Sequence, residues 1–240
     1  MRVVAFIEAR TPSTRLPGKH FEMVGPWQLV EWPIKACINT PEIDATVVNS
    51  NSSIILGIGR ELGAKTLERP NNIGLLVDSK KPWWLPLYTS WIDNYYGEAD
   101  EDTIILRIMG NAVIFDRQAI GRLVSNMKST EANGGLIITR CRGSEHPYYA
   151  MEFSGGVGRY CSYRYEDATI LTDADFPVQY RDDESVVAVR LPSDGRVGKL
   201  AYSIATEPSH HVHDQYDLEC ARVAANMREP KLGLKERQYA

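Results

Sequence analysis

Cysteine is scarce and badly placed for chemistry. Cys37, Cys141, Cys161 and Cys220 are irregularly spaced with no CxxC pair, which rules against a zinc site or a disulfide framework and leaves reduced thiols in a cytoplasmic protein as the expectation. Long apolar runs are missing too. No stretch approaches the ~20 residues needed to cross a bilayer, so no membrane partner is expected. The opening run Met1–Ile7 meets Glu8 too soon to form the core of a secretory signal. Nor is basic charge in excess: 27 Lys and Arg against 31 Asp and Glu give a net charge of -4, the wrong balance for a protein that grips nucleic-acid phosphates. Repeats, low-complexity tracts and linkers are absent. What remains, 43% apolar and 24% charged over 240 residues, suits one soluble domain spanning residues 1–240.

Strand-like and helix-like segments alternate through the first half. Residues 2–7, 45–49, 65–67, 103–108 and 136–139 read as strands, and 53–62, 83–95 and 116–127 as helices, with Asp116 placed to cap the last of these. Residues 27–38 have helical spacing, although Pro33 is expected to kink or shorten that helix. The alternation predicts an α/β fold with a mostly parallel mixed sheet flanked by helices. Such sheets bind ligands at the carboxyl ends of their strands, which singles out the loops after Ile7, Asn49 and Ile108. From 141 to 183 the pattern breaks into glycines, tyrosines and acidic residues, read as a loop-rich arm, a lid or a dimerisation element. Strands over 185–191 and 200–204 and a last helix over 215–227 follow.

The loop after the first strand carries Arg10, Arg15 and Lys19 within ten residues, with the hydroxyls of Ser13 and Thr14 and the small Gly18. Several cations and donors fixed at a strand end are what a polyphosphate requires. The spacing is not that of the GxxxxGK phosphate loop, since Ser13 and His20 stand where Gly and a hydroxyl residue would be needed.

Glu8-Ala9-Arg10 followed by Ser13-Thr14-Arg15-Leu16-Pro17-Gly18-Lys19 resembles the opening signature of the cytidylyltransferases that make CMP-sugars. That group includes the KDO, acylneuraminate and spore-coat polysaccharide cytidylyltransferase-like proteins. Later segments fall in the same order, among them Gly63-Ala64 with Arg69-Pro70, then residues 105–115 and residues 213–218. The resemblance implies a Rossmann-like, GT-A-like nucleotidyltransferase domain, CTP and an acidic sugar as partners, pyrophosphate as product, Mg²⁺ as cofactor and a homodimer. It assigns Lys19, Arg15 and Arg10 to catalysis. Ala9, Arg10, Ser13, Thr14, Arg15, Gly18, Lys19, Arg69 and Arg107 would contact nucleotide, and Glu152 the sugar acid. Lys19→Ala is accordingly expected to abolish activity at little cost in stability.

The family places metal-binding aspartates after the middle strand and before the last helix. Here those positions hold Asn111 and His213. Asn is a neutral ligand and imidazole suits Mn²⁺ or another transition metal better than Mg²⁺. His211, two residues from His213, could join it, or both could be ordinary hydrogen-bonding histidines. Asp214 reads either as the displaced metal carboxylate or as a helix cap with Asp217 three residues on. An active enzyme and a non-catalytic nucleotide- or sugar-binding paralogue both fit these departures. Arg69 and Arg107 could instead be ion-paired, Glu152 could be a surface carboxylate, and Trp83, Trp84 and Trp91 read as helix core or dimer contact more readily than as a base platform. Asp78 is a loosely spaced match to a family carboxylate.

Overall fold

The computed structural model describes residues 1–70, 84–97, 103–142, 151–154, 157–160, 178–192 and 198–232. In chain order the strands and helices are β1 Arg2–Glu8, β2 Met23–Val24, β3 Trp27–Gln28, α1 Glu31–Ile38, β4 Ala45–Ser50, α2 Ser53–Glu61, β5 Lys65–Glu68, α3 Trp84–Tyr96, β6 Thr103–Met109, β7 Ala112–Val113 and α4 Arg117–Ser129. There follow β8 Gly134–Arg140, β9 Met151–Ser154, β10 Val157–Tyr160, β11 Tyr180–Arg190, β12 Leu200–Ile204, β13 His210–His211 and α5 Gln215–Leu232.

Seven strands form one sheet in the order β12-β8-β11-β6-β1-β4-β5. β11 runs antiparallel to both its neighbours and the other pairings are parallel. The mostly parallel mixed sheet predicted from the alternation is therefore present. Its strands bury side chains on both faces. Val3, Ala5 and Ile7 of β1 pack toward a core shared with α1, α2 and α4. Val4 and Phe6 point the other way, onto Trp84, Leu85, Tyr88 and Ile92 of α3. Trp84 and Trp91 thus serve the core, and Phe6 and Tyr88 stack with centroids 3.9 Å apart. A third core sets α5, through Leu218, Ala221 and Ala225, against Val24, Trp32, Val113 and Phe115.

Local signals explain several boundaries. Asp116 caps α4 by accepting from Ala119 N–H at 3.1 Å, as its position implied. Gly63, at φ +90°, closes α2 in a left-handed turn, and Ala64 N–H reaches back to the Gly59 carbonyl at 2.8 Å. The helix expected over 27–38 begins only at Glu31, because Trp27–Gln28 pairs as a strand with β2. Pro33 falls in its first turn, where the missing N–H has no partner to lose, so it ends up starting the helix rather than kinking it. β11 starts at Tyr180, within the stretch read as irregular, and a bulge between Asp182 and Val187 hides its alternation. Within the 141–183 stretch β9 and β10 pair as a small antiparallel sheet of their own. Cys161, Asp78, Trp83, the Glu152 side chain and most of that stretch lie outside the described residues.

Candidate active site at the carboxyl edge of the sheet

β1, β4 and β6 are neighbours and parallel, so their carboxyl ends open at one edge. Three contacts hold their exit loops together. Gly110 N–H donates to the Glu8 carbonyl at 2.9 Å. A Cβ at 110 would lie 2.4 Å from that oxygen and 2.8 Å from the Ala9 Cβ, so only glycine lets the β6 exit come this close to β1. Asn51, beyond β4, accepts from Thr11 N–H at 2.9 Å and donates to the Thr11 carbonyl at 2.6 Å, which fixes the start of the first loop.

Between these loops lies a cavity of about 300 Å³, near the lower end of ligand-pocket sizes. Arg10, Ser13, Thr14, Arg15 and Lys19 of the first loop line it. Arg69 comes from beyond β5, Arg107 from β6, Asn111 from the β6 exit and His213 from the lead-in to α5. Among the described residues that line it, Glu8 is the one carboxylate against five cations. The sequence-selected residues that the structure gathers are therefore most of the first loop together with Arg69, Arg107, Asn111 and His213.

Ala9 and Gly18 fall outside. Ala9 is fully buried in the core and its N–H is bonded to the Asn49 carbonyl at 3.1 Å. Gly18 takes φ +75° to turn the chain into the 3₁₀ helix Lys19–Phe21. His211 sits in β13, opposite Ala112, and donates from Nε2 to the Asp183 carbonyl at 2.8 Å. Its ring stands parallel to that of His213 with centroids 6.4 Å apart, and only His213 reaches the cavity. Asp214 accepts from Asp217 N–H at 3.0 Å while Asp217 accepts from His213 N–H at 2.8 Å, a reciprocal cap for the first turn of α5. That structural role accounts for Asp214.

Lys19 is buried, with 9% of its surface exposed, and its Nζ donates to the Val212 carbonyl at 2.6 Å. Burial lowers its pKa, Arg15 and Arg10 push the same way, and Asp217 opposes them. Arg15 Nη2 donates to His213 Nδ1 at 2.9 Å. A guanidinium can only donate, so Nδ1 is the acceptor and the neutral ring carries its proton on Nε2. Burial, then Arg15 and Lys19, hold the His213 pKa below its usual value.

Sequence reading allowed that Arg107 could be ion-paired, but missed its partner and the rest of the support beneath the cavity. Glu8 and Arg107 lie on the same sheet face, one register step apart, since Arg107 stands opposite Phe6. Arg107 grips Glu8 with two bonds, Nε to Oε1 at 3.0 Å and Nη2 to Oε2 at 2.8 Å. Tyr88 donates to the same carboxylate at 2.6 Å and accepts from Asn49 Nδ2 at 3.1 Å. Burial works against the Arg107 charge, and the Glu8 pair outweighs it, leaving its pKa raised. The register that creates this network is a long-range pairing, which no local pattern reports.

His20 was also missed. It is 4% exposed at the cavity wall, and burial followed by the Lys19 charge pulls its pKa from 6.5 to about 4. The sign is that of a histidine buried neutral: stability is complete above the unfolded value and falls as pH drops from 6.5 toward 4. His210 and His213, both shifted down, act in the same direction. Chemical denaturation at about pH 7 and about pH 4.5 should show a loss of roughly 2 kcal/mol attributable to His20. His20→Gln should remove much of that difference. Equal stability of the wild-type protein at the two pH values would contradict this reading.

Among the described residues, those lining the cavity do not fit a carboxylate-held Mg²⁺. Glu8 is spent on Arg107 and Tyr88, Asp214 and Asp217 on the α5 cap, Asn111 turns its amide N–H₂ to the Val212 carbonyl at 3.1 Å, and His213 Nδ1 is taken by Arg15. Among the described residues no group of three or more His, Cys, Asp or Glu is placed to hold a metal ion. No helix among them is long and apolar enough to cross a membrane.

A sequence model of the cytidylyltransferase family matches residues 4–78, the segment that supplies β1, the first loop and Arg69. No curated protein matches the chain. Among solved structures, a CMP:2-keto-3-deoxy-manno-octonic acid synthetase complexed with CTP aligns with a TM-score of 0.65 at 14% identity, over 95% of this chain and 100% of that one. A 4-diphosphocytidyl-2C-methyl-D-erythritol synthase aligns with a TM-score of 0.59 at 12% identity, covering 92% and 97% of the two chains. The corresponding synthase from Anaerococcus prevotii gives 0.57 at 10%, covering 94% and 96%. At these identities the structural likeness is one of fold. Over residues 4–78 the chain matches the cytidylyltransferases in sequence, and along nearly all of its length it shares the fold of these synthetases.

Proposed function

We propose that the cavity at the carboxyl edge holds the triphosphate of CTP, and that the chain transfers the cytidylyl group to an acidic sugar of the KDO or sialic-acid type for surface polysaccharide synthesis. A hydroxyl oxygen of the sugar acid attacks the α-phosphorus, the bond to the bridging oxygen breaks, and pyrophosphate leaves. Arg10, Arg15 and Lys19 are the groups that balance the charge developing on the phosphates, fixed in place before the reaction. The observation that carries this reading is the excess of five cations over one carboxylate among the described residues of the cavity walls, four of the cations lying in the segment that matches the cytidylyltransferases in sequence. A homodimer, on the resemblance alone, and a cytoplasmic location, on the irregularly spaced cysteines, complete the proposal. The 2C-methyl-D-erythritol synthases share the fold, so the acceptor rests on the sequence likeness to CMP-sugar enzymes.

A second reading, a nucleotide-binding relative without transfer activity, is favoured by one observation. Asn111 and His213 spend polar groups on Val212 and Arg15 at the positions where the family keeps aspartates. Pyrophosphate release from CTP, followed with a panel of 3-deoxy sugar acids and sialic acids, separates the two. Release that requires both CTP and one of the acids supports transfer. Saturable CTP binding with no release for any acid supports the second reading.

A further inference from the structure

We propose that the cavity binds its polyphosphate without a divalent cation, the chain's own Arg10, Arg15 and Lys19 balancing the ligand's charge. This rests on reading the cavity as a phosphate site.

Three placements carry it. The Val212 carbonyl accepts both Lys19 Nζ at 2.6 Å and Asn111 Nδ2 at 3.1 Å. An ionised carboxylate at 111 could not donate to that carbonyl and would be repelled by it, so the amide is the side chain this position requires. His213, with Nδ1 accepting from Arg15 at 2.9 Å, presents Nε2 as a donor, which matches an anionic oxygen and not a cation. The carboxylate inside the cavity, Glu8, is already held by Arg107 and Tyr88. Among the described residues, the carboxylate and the imidazole that could have met a metal ion are thereby neutralised or turned into a donor. A divalent ion would have to sit against Arg15 and Lys19 with no free anionic protein ligand among the described residues, whereas phosphate oxygens meet donors from the first loop and from His213.

The test is calorimetric titration of the full chain with CTP and, separately, with inorganic tripolyphosphate, each in the presence of a chelator and of Mg²⁺. Both ligands are expected to bind in chelator, and Mg²⁺ should leave the affinity unchanged or weaken it, because it consumes ligand charge. Tightening by about tenfold or more with Mg²⁺, or binding that vanishes in chelator, would overturn the proposal. Tripolyphosphate binding in chelator without CTP binding would uphold it and sink the CTP reading. CTP binding only with Mg²⁺ would do the reverse. The double variant Asn111→Asp/His213→Asp should invert the behaviour, with CTP affinity down by about tenfold or more in chelator and restored by Mg²⁺. A folded double variant that still binds CTP equally well in both conditions would count against the roles given to Asn111 and His213.

Discussion

Lys19→Ala is expected to weaken CTP binding by about a hundredfold, roughly 3 kcal/mol, the usual scale for truncating one partner of a largely desolvated charge pair. The side chain is placed for this by two local features. Gly18, at φ +75°, turns the loop inward, and the following 3₁₀ helix buries the lysine stem against the lead-in to α5. An ammonium group has three donors, and the Val212 carbonyl takes one of them. That bond also alters what the sequence alone implies about stability. Lys19 is not a free surface cation but a buried tie between the first loop and the segment carrying His213, so its removal should cost the fold roughly 1–3 kcal/mol as well. Calorimetric titration of the variant, beside its denaturation curve, measures both. Affinity within about threefold of wild type would remove Lys19 from the binding site.

Glu8→Ala carries the largest expected effect on stability. Its carboxylate side chain is 8% exposed, and it neutralises Arg107, which is 23% exposed, while accepting from Tyr88. Deleting it leaves a guanidinium in a cavity wall beside Arg69 and Arg10 with its two bonds lost, a change of roughly 3–5 kcal/mol for a buried pair. Replacing both partners should be milder, because no uncompensated charge remains, and Glu8→Ala/Arg107→Met should recover part of the loss. Urea denaturation of the two single variants and the double variant tests this. A single-variant loss below about 1 kcal/mol would mean that solvent already screens the pair.

The parts of this architecture that were legible in the sequence are those specified locally. The strands of the first half, the cap at Asp116 and the cation-rich loop after β1 depend on neighbours within a few residues. So does the paired arrangement of Asp214 with Asp217. What was not legible depends on register. The two-residue strands β2, β3, β7 and β13 are too short to have a period, and exist because a distant partner meets them. Glu8 appeared only as part of a motif, since its bonds to Arg107 and Tyr88 come from a sheet pairing across 99 positions and from a helix 80 positions away. The departures at Asn111 and His213 could be seen in the sequence as lost carboxylates. Their geometry gives them positive work, as a donor to Val212 and an acceptor for Arg15, which a comparison of residue types cannot supply.

Titration of the wild-type protein with CTP beside UTP and ATP tests the reading of the cavity most directly. Saturable binding of CTP, tighter than either competitor by about tenfold, is the expected result. Equal affinity for the three nucleotides, or no binding of any, would contradict a cytidylyl site at the carboxyl edge of this sheet.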